Sequence, residues 1–143
     1  RNNSKDLERT KQLYAGVVEA VNGADAIFVE VPVGSQSARA MAGYAMCVGV
    51  LGALMAQGFP IYEVTPNEVK LAGAGKASAS KADMIQWATT KHPEADWPTY
   101  RRHGEDLVSA EKAEHCADAV GAIYAGLQTR EFQQLLPILR RAA

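Results

Sequence analysis

An α/β fold is what this sequence predicts, on three observations. Two short apolar, β-rich runs occur, Ala26-Ile27-Phe28-Val29-Glu30-Val31-Pro32 and Phe59 to Val64. One long helical stretch and short connections separate them, which makes a βαβ unit with parallel strands and a right-handed crossover. The chain has 143 residues, 48% of them apolar, enough for one domain with a real core.

The elements follow in order. Leu7 to Val21 reads as an amphipathic helix, because Leu13, Tyr14, Val17, Val18 and Val21 share a face. Asn22-Gly23 ends it. In the first strand a single carboxylate, Glu30, sits near the end of an apolar run, where burial is costly unless a cation meets it. The bland alternative is an edge strand with Glu30 in solvent. Pro32 to Ser37 is a loop, and Ser37 caps a helix running to about Gln57. That helix is apolar nearly all round and rich in Gly and Ala, so it is expected to be buried, with a partner subunit over one face. Gly58 stops it before the second strand. Thr65-Pro66-Asn67-Glu68 has the form of a capping box with Pro at the first helical position. Ser80 caps a helix from Lys81 to Thr90, with Met84, Ile85 and Trp87 as packing residues. His92 to Asp106 reads as a polar loop. Ser109 opens a helix from Ala110 to about Gln128, and a helical tail follows, weakened by Pro137. Residues 1–128 thus form the main domain and 129–143 the tail.

Charge and composition narrow the function. Net charge is −1, so no global basic field marks a nucleic-acid binder, and such binding needs a local patch. No signal peptide is visible in the polar start, and Cys47 and Cys116 read as reduced core thiols. The expected setting is cytoplasmic, with no membrane partner. The Ala40 to Tyr62 run is read as a buried helix rather than a span.

Lys70 to Lys81 carries three further reasons for attention: Lys70, Lys76 and Lys81, with two glycines and no acid between. Gly75-Lys76 is not a phosphate-binding loop, since Lys70 and Ala77 stand where Gly and Ser or Thr are required. The remaining readings are a flexible loop touching a phosphate backbone, or a solvated surface loop. His115 and Asp118 lie three apart on one helix face. With Glu30 they form a candidate cluster for Mg²⁺ or Mn²⁺. The Cys/His set of a structural zinc site is missing, and so is a Gly-x-Ser-x-Gly nucleophile motif.

These motifs together resemble the RuvC family of Holliday junction resolvases, in the RNase H-like superfamily. Leu13-Tyr14-Ala15-Gly16-Val17 is similar to its first helix and Val29-Glu30-Val31 to its acidic strand. Asn67-Glu68-Val69-Lys70, Gly73-x-Gly75 and Lys81 are similar to its basic loop, and His115-x-x-Asp118-Ala119 to its C-terminal motif. The resemblance implies a mixed sheet flanked by helices and a two-metal endonuclease acting on four-way DNA junctions. It implies a homodimer meeting through the Ala38–Gln57 helix. Glu30, His115 and Asp118 would be ligands to Mg²⁺ or Mn²⁺, Lys81 would join them in catalysis, and Lys70, Lys76 and Lys81 would contact DNA. Two departures stand out: Pro32-Val33-Gly34-Ser35 lacks the family's aromatic, and the family's N-terminal strands, with an essential Asp, precede the point where this chain begins. Residues 1–143 alone are therefore expected to cleave poorly. Competing readings are a non-cleaving RNase H-like dimerising or DNA-holding module, and a related nuclease acting on RNA.

Overall fold

A computed structural model describes residues 2–31, 34 and 37–142. The elements are α1 (Asn2–Ala20), β1 (Ile27–Glu30), α2 (Ala38–Ala56), β2 (Ile61–Val64), α3 (Pro66–Ala74), α4 (Lys81–Lys91), β3 (Thr99–Arg102), β4 (Glu105–Val108), α5 (Ala110–Gly126) and α6 (Arg130–Ala142). β1 pairs with β2, and β3 with β4. The fold is α/β, helix-rich with small sheets. Two compact units emerge: residues 1–27 with 31–62, and residues 28–30 with 63–143. The loop expected to lack an aromatic lies largely outside the described residues, at Pro32, Val33 and Ser35.

In the first unit α1 begins earlier than its apolar stripe, at Asn2, because polar residues extend a helix where they need no core. Asp6 ties it to α2 by pairing with Arg39 at 3.2 Å, and it also meets Arg9 at 3.3 Å. Those guanidiniums, Arg39 foremost, hold the Asp6 carboxyl below its ordinary range. Ser37 caps α2 as expected, its Oγ accepting from Ala40 N at 3.4 Å. The expectation that α2 is buried fails: only Val50 and Leu54 are. Met41, Val48 and Met55 are 44–50% exposed. A helix apolar on every side needs cover on every side, and α1 reaches only part of it. By length and composition alone α2 could cross a membrane. Cys47 and Cys116 are also exposed rather than core thiols.

The second unit holds the larger core, in which Val64, Val69, Met84, Ala88, Ala117, Ala122 and Ala125 pack together. Both expected caps form. Thr65 and Glu68 bond reciprocally across the first turn of α3, and Ser80 and Asp83 do the same for α4. These bonds hold Glu68 and Asp83 below the usual carboxylate range. α5 is lined by small residues, so α3 and α4 approach it closely. A β-carbon at Gly121 would stand 2.8 Å from Val69 Cγ1, and one at Gly126 would collide with the Phe28 ring. Phe28 also meets Phe132 of α6 edge to face at 5.0 Å.

The polar loop expected between His92 and Asp106 is in part a hairpin. Thr99 pairs with Val108 and Arg102 with Glu105. His103 and Gly104 both have positive φ, 51° and 89°, the conformation a two-residue hairpin turn requires. All eight strand residues are exposed, so no apolar alternation announces them.

Candidate active site

Phe28 and Glu30 lie on the same side of β1, because side chains alternate along a strand. Phe28 fills the space left by Gly126, which seats β1 against α5. Two turns back along α5 is Asp118, on the same helix face as Ala122 and Ala125. The packing of one aromatic ring on one glycine thus brings Glu30 and Asp118 into a common field.

Each carboxyl bears the mark of that field. Glu30 is pushed up from its ordinary value, first by burial and then by the charge of Asp118, with Lys70 opposing. Asp118 is pushed up by burial and then by Glu114, while His115, Lys70 and Lys81 pull it down. Neither makes an ion pair or hydrogen bond among the described residues. Lys81 is engaged elsewhere: its Nζ lies 2.7 Å from Glu114 Oε1. That bond raises the Lys81 pKa. Lys76 pairs with Asp83 at 3.2 Å. Lys70, half-buried on α3, is left facing the two acids.

The three-donor set expected of Glu30, His115 and Asp118 is not assembled. Among the described residues no three His, Cys, Asp or Glu side chains stand close enough to hold a metal ion. His115 is exposed, one turn before Asp118. The pair of Glu30 and Asp118 fits a divalent cation in its chemistry: two oxygen-donor groups, short of positive charge, repelling each other.

No family model matches the sequence, and no curated protein matches it. Among solved structures, one described as "Thermus thermophilus RuvC structure" is similar at a TM-score of 0.52 and 21% identity, over 83% of this chain and 68% of that one. The fold is RuvC-like.

Within this RuvC-like fold Glu114 is the residue that sequence reasoning missed. It lies one turn before Asp118, so the two share a helix face. That spacing, opposite a lysine-rich loop, was the available signal. Its side chain is 22% exposed against 77% for Lys81, so the acid is the fixed partner and the lysine the mobile one.

Proposed function

We propose that the chain is a nuclease module acting on branched DNA, with Mg²⁺ or Mn²⁺ held by Glu30 and Asp118. The observation that carries this reading is the pair of carboxylates at β1 and α5 that make no ion pair or hydrogen bond among the described residues. Burial raises both, with the charge of Asp118 adding at Glu30 and that of Glu114 at Asp118, as at sites built for chemistry. The RuvC-like fold supports the substrate class.

His115, exposed one turn before Asp118, would have to turn toward the pair to serve as a third donor. A divalent ion bound there would acidify a water and offset charge on the phosphate. The chain's own groups divide the remaining work. Lys70 places positive charge beside both acids, where a phosphate oxygen would otherwise be repelled. Lys81 and Lys76 are the further DNA contacts, and each must leave an acid to reach a phosphate. Hydrolysis forms one P–O bond from water and breaks one P–O bond of the strand.

A second reading, branched-DNA binding without cleavage, is favoured by one observation, the lack of a third metal donor among the described residues. One experiment separates the two. A four-way junction, a duplex and an RNA hairpin are incubated with the wild-type chain, Glu30→Gln and Asp118→Asn, with and without Mg²⁺. Junction cleavage that falls at least about a hundredfold in both variants, with binding retained, supports the nuclease. Because cleavage by residues 1–143 is expected to be weak, the assay is run with the chain in large excess over junction, and junction binding with no Mg²⁺-dependent product under those conditions supports the second reading. Neither binding nor cleavage overturns both.

A further inference from the structure

We infer that the groove between the end of α3 and one face of α4 is a binding site for an unstacked nucleotide, its base against Trp87 and its phosphate against Lys91 and Lys76. The groove has a volume of about 420 Å³, inside the roughly 300–1,000 Å³ range of small-molecule sites. Neither Glu30 nor Asp118 lines it.

The face of α4 that lines it carries Asp83, Gln86, Trp87, Thr90 and Lys91. Those positions recur at i, i+3, i+4, i+7 and i+8, one stripe of a helix. Met84 and Ala88 are the buried residues of α4, and Trp87 packs in part against the core while also lining this groove. The groove-lining stripe sets an amide, a hydroxyl and an ammonium around one indole.

The indole is braced. Gly73 lets it lie close to α3, since a β-carbon there would stand 3.0 Å from Trp87 Cε3. Tyr124 meets it edge to face at 5.2 Å. The Tyr124 hydroxyl is in turn hydrogen-bonded to His92 Nε2 at 3.2 Å, and Glu94 holds the other ring nitrogen at 3.2 Å. Trp97 donates its ring N–H to the His92 carbonyl at 2.8 Å. The Trp87 ring N–H, by contrast, donates to no group among the described residues. An aromatic ring fixed from behind, with an open donor, is a stacking platform of the kind that holds bases without regard to sequence.

The charges select a phosphate. Lys91 makes no ion pair among the described residues. Lys76 is half-exposed and shared with Asp83, whose carboxylate is already engaged by Ser80 in capping α4. Lys91 and Lys76 against Asp83 leave an excess of positive charge at the rim. A base with its phosphate answers both the platform and the rim. A strand supplies such units wherever pairing is interrupted, and this choice of source rests on the nucleic-acid reading above.

The test follows the two indole N–H resonances of the ¹⁵N-labelled full chain, assigned with Trp87→Phe. It is titrated in turn with dAMP, a four-nucleotide DNA strand and inorganic phosphate. Binding is read without cleavage, so its result is independent of the nuclease assay. The expected result is a saturable shift of the Trp87 resonance with dAMP and the strand, the Trp97 resonance staying put. Lys91→Ala should weaken it roughly fivefold, and removing the ring with Trp87→Ala by about five- to a hundredfold, read on the backbone resonance of Lys91. Tighter binding of the strand names a strand nucleotide as occupant, and tighter binding of dAMP a free one. Shifts with phosphate equal to those with dAMP, or no saturable shift at Trp87, overturn the site.

Discussion

At the residue scale, the raised carboxyls carry a consequence for stability. In the unfolded chain Glu30 and Asp118 titrate normally, so between the ordinary and the raised values the folded state binds more protons. Ionising them therefore costs stability at every pH above that window, and the cost disappears as pH falls through it. Glu30→Gln and Asp118→Asn should each raise the melting temperature at pH 7, the gain shrinking in acid. Melting curves from pH 7 down to pH 4 check this, and a loss of stability at pH 7 would contradict it. A residue that gains stability when neutralised is kept for another reason, as functional residues often are. Glu114 invites the opposite test. Freed from it, Lys81 can reach a phosphate without first breaking a 2.7 Å pair. Exposed pairs contribute at most about 1 kcal/mol, so Glu114→Gln should tighten junction binding about two- to fivefold. The gain should vanish in a Lys81→Ala background, as measured by fluorescence anisotropy, and persistence there would place Glu114 outside the DNA contact.

At the element scale, β1 is held to α5 by Phe28 on Gly126. Gly126→Ala should lower stability by about 1–3 kcal/mol, by analogy with other overpacked cores. It should also weaken whatever Glu30 and Asp118 do together, because the ring sets the strand's position. Denaturant unfolding beside the cleavage assay measures both, and unchanged values would show the contact to be slack. The helix starts were legible because they are local: Thr65 with Glu68 and Ser80 with Asp83 need only a four-residue window. Glu30 and Asp118 stood out as carboxylates beside apolar segments and Lys70 as part of an acid-free basic stretch; that Glu30 and Lys70 share a field with Asp118 is seen only in the fold. The β3–β4 hairpin was not, since Thr99–Arg102 and Glu105–Val108 bury neither face, and His103-Gly104 is a weaker turn signal than Asn-Gly. Trp87 packs against the core as its sequence position predicts, and only its second role, lining a groove beside Gly73, was not legible locally. The exposure of α2 and of Cys47 depends on which elements reach them, which no local pattern records.

At the scale of the whole molecule, α2 is the surface in need of a partner. Met41, Val48 and Met55 on it are exposed, and a second copy of the chain is the occupant the dimer proposal assigns to them. Gly49→Arg or Ala53→Arg should convert a dimer to a soluble monomer in analytical ultracentrifugation, and a wild-type chain monomeric at high concentration would contradict the dimer. The RuvC-like fold brings a strand end, a helix and a lysine-bearing segment to one place, and the account stands on the claim that Glu30 and Asp118 act there as a single acidic site. Calorimetric titration of Mn²⁺ into the wild-type chain, the two single variants and the double variant tests that claim most directly. One site in the wild type, lost to the same degree in Glu30→Gln, Asp118→Asn and the double variant, is the result expected of a shared site. Wild-type binding of Mn²⁺ by the double variant would contradict it.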